Sequence, residues 1–208
     1  VSDATKGWKW NYDSWEVPIN MVYCRKNLVP AYANEPALTQ WMQGIVAPFA
    51  DDRALDAFAA KGYFFPSEYL QRTNIDGILR NSGVETFDEM RYFTAMGNLG
   101  SAFAGCDQLR RVTLPDTLRT MGYSAFEGCS KLDSIYINAD SVPAIESGTF
   151  RDLPASFKIF VPKNLAKLYR TEWAEYADHI VGNDAKTAGD GILVVTTTEK
   201  NTLAKQLG

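Results

Sequence analysis

Apolar and polar residues alternate in three short stretches: Val112-Thr113-Leu114, Ile135-Tyr136-Ile137 and Ile159-Phe160-Val161. Alternation at period two is the pattern of a half-buried strand. Each stretch starts nine positions after a phenylalanine: Phe103, Phe126 and Phe150. Pro115 and Pro162 follow the first and third stretches, and a residue without an N–H ends a strand ladder. Asn138 holds that place in the second. Around the first two phenylalanines the letters themselves repeat, as SAFAGC from Ser101 and SAFEGC from Ser124, 23 positions apart. These segments predict a short helical or 3₁₀ turn that inserts Phe into a core and is closed by Gly105 or Gly128. The third unit begins 24 positions after the second, from Phe126 to Phe150. Three units in phase predict a solenoid, in which each unit buries its apolar side against the next.

Outside the units the pattern changes. Val84-Glu85-Thr86-Phe87, followed by Phe93, Met96 and Leu99, reads as an irregular first unit, with a more helical run over FDEMRYFT. Glu35–Lys61 carries helical spacing through Ala37, Leu38, Trp41, Ile45 and Val46, then Leu55, Phe58 and Ala59. Pro48 separates the two parts. Lys163–Ile180 predicts an amphipathic helix through Leu165, Leu168, Tyr169, Trp173, Tyr176 and Ile180, which would cover the open end of the stack. Gly182, Asn183 and Gly189-Asp190-Gly191 read as a break. Ile192–Val195 and Thr202–Leu207 then read as a strand and the start of a helix.

Composition narrows the possibilities. The chain has 208 residues, 46% of them hydrophobic and 22% charged, with a formal net charge of −4. This is an ordinary globular balance. No basic run exists, which argues against nucleic acid as a partner. No apolar stretch reaches bilayer length. A single histidine, His179, disfavours zinc sites and His-based triads. The chain opens at Val1 without a leader and is expected to be a mature or trimmed piece of a longer protein.

The pattern AFxGCxxLxxVxLPxxLxxMGxxAFxGC, Ala102–Cys129, resembles the BspA-like leucine-rich repeats. The segments GVETFDEMRYFTAMGNLGSAF before it and KIFVPKNLAKLYRTEWAEYADHI after it are similar to the leading and trailing parts of such arrays. The resemblance covers roughly Gly83–Val181. Together with the helical spacing on either side, it gives an α+β fold: a short leucine-rich-repeat-type solenoid of period 23–25, with a mostly helical N-terminal region and a C-terminal capping helix. It also implies a secreted or cell-surface bacterial protein, some of whose relatives are implicated in adhesion to host or matrix proteins, and it implies no catalytic residue. The resulting division is 1–72 (aromatic-rich and partly helical), 73–163 (the solenoid), 164–186 (the cap) and 187–208 (a tail that resembles the opening of a further module).

Cys106 and Cys129 occupy the same place on adjacent units, close enough for a disulfide in a stack. The third unit puts Leu153 there, so the position reads as apolar core and the thiols as buried and free. Cys24 is left without a partner, and three Cys with one His make a poor metal set. Asn74, Asp76, Gly77 and Glu85 fail the spacing of a calcium loop. Trp8, Trp10, Tyr12 and Trp15 read as the core of the N-terminal region rather than an exposed platform. His179 reads as a surface or capping residue.

The outward strand positions are the better binding candidates. If Val112 and Leu114 point inward, Arg111, Thr113 and Pro115 point out. Their counterparts are Ser134, Tyr136 and Asn138, then Lys158, Phe160 and Pro162. Thr113, Tyr136 and Phe160 would form one row across an exposed sheet. The expected function is therefore non-catalytic recognition of a host or matrix protein, or of a glycan, by a monomer without cofactor or metal. The alternatives are a structural spacer and a hydrolase using Glu35, Asp51 or Asp52, which no motif supports.

Overall fold

The computed structural model describes residues 22–23, 45–46, 49–63 and 66–183. Trp8, Trp10, Tyr12, Trp15, Cys24, Glu35 and the tail after Asn183 lie outside them.

Two-residue strands β1 (Val22–Tyr23) and β2 (Ile45–Val46) pair in parallel. Ile45 and Val46 thus belong to a strand, not to the helix that their spacing predicts. Helix α1 (Asp52–Ala60) begins after Pro48, with Asp51 as its N-cap accepting from the Arg53 N–H. A carboxylate there satisfies an orphan helix donor. A four-residue helix, α2 (Pro66–Tyr69), follows.

The array is a sheet of five parallel strands in the order β3-β4-β6-β8-β9. These are β3 (Thr86–Phe87), β4 (Arg111–Leu114), β6 (Ser134–Ile137), β8 (Lys158–Pro162) and β9 (Ile180–Asn183). Register carries Phe87, Val112, Ile135, Ile159 and Ile180 across all five in one inward row, and all are buried. A second ladder pairs β5 (Thr120–Met121) with β7 (Ala144–Ile145), and single bridges extend it to Asn98 and Asn74. The chain climbs one rung per unit, through a main strand, a short second edge and a helical turn.

The helical turns bring Phe103, Phe126 and Phe150 face to face. Phe103 and Phe126 stack at 5.3 Å and 6°, Phe126 and Phe150 at 5.9 Å and 14°. Two residues after each phenylalanine the backbone is left-handed: φ is 74° at Gly105, 77° at Gly128 and 59° at Asp152. This turn aims N–H groups at the next rung, Gly105 N at Glu127 O (2.7 Å) and Gly128 N at Arg151 O (3.2 Å). A Cβ on Gly105 would lie 2.0 Å from Asn81 Oδ1, so a side chain there would displace Asn81 as well as strain a backbone at φ 74°.

Asn81 gives the irregular first unit, whose strand is Thr86–Phe87, a turn that its letters do not predict. Its φ is 56° and its N–H donates to Ala104 O at 2.9 Å. Leu79 therefore stands where later rungs carry Phe. A leucine and an asparagine in place of Phe and Gly hid this turn, since Asn tolerates the left-handed region better than most residues.

Both ends of the described stack are closed by aromatic side chains. Below, Phe49, Phe58, Tyr69, Phe87 and Phe93 form one ring cluster, with Phe58 and Tyr69 at 5.0 Å. Above, Tyr169 and Trp173 meet edge to face at 5.0 Å, and Trp173 lies against Phe150. The expected capping helix is shorter than its spacing predicts: α3 spans Ala166–Glu172, a 3₁₀ helix Ala174–His179 follows, and Ile180–Asn183 is the last strand. Ile180 sits at helical spacing from Tyr169 and Trp173, yet it is buried as the inward residue of a strand. Gly182 and Asn183 are likewise in that strand rather than in a break.

Truncating the middle ring of the stack leaves two neighbours without a partner. Phe126→Ala is expected to destabilise the fold by about 3–5 kcal/mol, with Phe126→Leu costing clearly less, as read from urea unfolding midpoints.

Candidate recognition face

Strand register places Arg111, Ser134 and Lys158 in one outward row and Thr113, Tyr136, Phe160 and Val181 in the next. Tyr136 and Phe160 are half-buried and stack on each other at 4.6 Å and 11°. Parallel strands without a register slip put like positions directly side by side, so two aromatic rings there must meet. Lys158 is exposed and its Nζ donates to Asp178 O at 3.3 Å. Ser134 is half-buried between Arg111 and Lys158.

Thr113 departs from the expected exposed row. It is 1% exposed, and its hydroxyl donates to Asp88 Oδ1 at 2.6 Å. The 3₁₀ helix Asp88–Tyr92, which leaves β3, packs against β4 and closes that end of the face. Pro115, also expected outward, is buried. The open part of the face is therefore narrower than the sequence reading drew it: Tyr136 and Phe160, with Arg111, Ser134 and Lys158 along one side.

Asp88 was not among the expected site residues. Its carboxylate is 5% exposed and also takes a hydrogen bond from Arg111 Nη2. Burying the acid while leaving the guanidinium half in solvent fixes Arg111 at the margin of the aromatic pair. β3–β4 register sets Phe87 opposite Val112, so the next residue, Asp88, falls beside Thr113.

Of the acids named for hydrolysis, Glu35 lies outside the described residues, Asp52 opens α1, and Asp51 has other work. Asp51 caps α1, takes the Arg53 guanidinium at 2.8 Å and accepts the Glu85 N–H at 2.7 Å. Burial alone would raise its pKa, but these hydrogen bonds outweigh burial and hold it below the usual range. An open depression of about 450 Å³ lies between α1 and the first rung. Among the described residues lining it, Asp56 is the one acid, so no carboxylate pair converges there. Among the described residues, no group of three or more His, Cys, Asp or Glu is placed to hold a metal ion. Asp76, part of the rejected calcium pattern, instead accepts from Ser101 N (2.7 Å) and Oγ (2.6 Å) of the next rung.

Cys106 and Cys129 are buried and free. Each thiol donates to a carbonyl of the rung below, Cys106 to Leu79 O at 2.9 Å and Cys129 to Phe103 O at 3.2 Å. Burial pushes both thiol pKa values up, so neither is poised as a nucleophile. His179 Nδ1 meets Phe157 O at 2.9 Å and its ring stacks on Phe157.

Residues 93–175 match the family described as BspA type leucine-rich repeat region (6 copies). The array is similar to that family. The matched stretch holds β4 to β8 and α3, and therefore the whole aromatic pair with its flanking cations. No curated protein and no solved structure matches the chain. Among the described residues, no helix is long and apolar enough to cross a membrane.

Burial and raised pKa together make the two array thiols inert in the folded protein. Iodoacetamide followed by peptide mapping is expected to leave Cys106 and Cys129 unmodified until denaturant is added, and intact mass without reductant to show no 2 Da deficit from a bridge between them. Rapid native labelling of either would contradict the arrangement.

Proposed function

We propose that this chain is a non-catalytic recognition module of a secreted or surface-displayed protein. It engages a protein or glycan partner through Tyr136 and Phe160, with Arg111, Ser134 and Lys158 as polar flanks. The carrying observation is the stacked, half-exposed ring pair at the open centre of the parallel sheet. Aromatic and arginine side chains dominate the energetics of binding patches, because they bring large rigid surface at little conformational cost. Thr113 takes part only as the anchor beneath, through Asp88. In this reading residues 73–163 carry the recognition surface, and the segments on either side close its ends.

Tyr136→Ala/Phe160→Ala tests the reading. Screened against immobilised matrix proteins and a glycan array, the wild-type chain is expected to retain at least one ligand, and the double variant to lose it by tenfold or more. Unchanged retention, with the fold intact by circular dichroism, would favour a structural spacer instead.

A further inference from the structure

Two adjacent buried carboxylates leave the 3₁₀ helix in different directions. Asp88 holds Thr113 and Arg111 on the sheet face, whereas Glu89 reaches the N-terminal segment. Glu89 is 1% exposed, and its Oε1 accepts the Ala50 N–H at 2.8 Å, across 39 positions of sequence. A second contact runs the opposite way, from Glu85 N–H to Asp51 Oδ2 at 2.7 Å. Arg53 closes the set by bonding Asp51 and Glu85. The segment from Phe49 to Arg53 is thus clamped to the first rung by reciprocal hydrogen bonds, beside the Phe49 ring cluster.

The two acids of the clamp differ in what balances them. Asp51 has the Arg53 guanidinium in contact and backbone donors on both oxygens. Among the described residues, Glu89 has backbone donors and no cation in hydrogen-bond contact. The charged groups around it among the described residues are Asp88 and Arg91 on its own turn, Arg111 on β4, and Asp51, Arg53 and Glu85 in the facing clamp. Arg111 is committed to Asp88, and Arg53 to Asp51 and Glu85. An ionised carboxylate at such a place is costly, whereas the neutral acid still offers its carbonyl oxygen to Ala50.

We propose that Glu89 is a proton-operated latch: the segment Phe49–Arg53 seats on the first rung with Glu89 as a neutral acid and loosens when that acid ionises. Burial accordingly raises the Glu89 pKa, the neighbouring Asp88 adds to the rise, and the Ala50 N–H and Arg91 offset part of it. The sign follows. Seating takes up a proton, so it is strongest below the ordinary glutamate value and is lost as pH rises through the seated one. Asp51 acts in the opposite sense, since its lowered pKa costs stability only as pH falls below the ordinary aspartate value. The two windows do not overlap, and seating is tightest between them, in mild acid.

Amide hydrogen exchange at Ala50, corrected for intrinsic rates, reads the latch directly. From about pH 5 to about pH 7.5 its protection is expected to fall by up to tenfold per pH unit until the seated pKa is passed. The Phe126 amide, which bonds Thr149 O deep in the array, should not follow it. Glu89→Gln keeps the acceptor oxygen and removes the proton, so its Ala50 protection should be flat with pH. A flat profile in the wild type, or the same slope in Glu89→Gln, overturns the proposal. Carbon-13 titration of the Glu89 carboxyl group does so independently of any variant, if its midpoint lies in the ordinary carboxylate range.

Discussion

A backbone N–H turned across to the next rung is the contact on which this structure depends. It is made at Asn81, Gly105 and Gly128, where the chain takes a left-handed conformation. Glycine adopts that conformation without strain, and Asn81 and Asp152 adopt it as well. Once the N–H points out of its own turn, the carbonyl of the neighbouring unit takes it. This fixes the spacing of turns, and the spacing of turns brings Phe103, Phe126 and Phe150 into one stack. The thiols at Cys106 and Cys129 add a weaker bond in the opposite direction, to the rung below, so the conspicuous letters of the repeat are joints between rungs as well as core filler.

A stack held this way has a problem at its ends, because each terminal rung offers apolar side chains with no next unit to cover them. The lower end is closed by rings from α1, α2 and the segment before them. The upper end is closed by Tyr169 and Trp173 from α3, and Arg170 reaches from α3 to Ile180 O on the last strand. The lower closure is not purely apolar. Its clamp of Asp51, Arg53, Glu85 and Glu89 spends buried polar groups on fixing where the N-terminal segment lies. Such groups add little net stability against an apolar equivalent, but they penalise every other placement.

In-register stacking also shapes the outer face. Like positions on successive strands fall side by side, so a threonine, a tyrosine and a phenylalanine become one row whatever their neighbours. The first of these is sealed by the 3₁₀ helix and the buried Asp88, and the remaining two present a flat aromatic patch. Beside it Arg111 is held by Asp88, and Lys158 donates to the Asp178 carbonyl.

The period of the array, the identity of its inward residues and the place of its phenylalanines were all written in local spacing, because one unit repeats the same demands on the backbone. The free state of Cys106 and Cys129 was legible for the same reason: Leu153 takes the equivalent place. What spacing could not carry was anything decided by contact between distant parts. The turn built on Leu79 and Asn81 conserves a conformation rather than letters. Ile180 matches a helical stripe and an inward strand position equally well, and only pairing with β8 chose between them. Thr113 alternates like its neighbours, yet the 3₁₀ helix packed over it removes it from the surface. The burial of Glu89 depends on a backbone N–H 39 positions away, whose seat exists only once the first rung is formed.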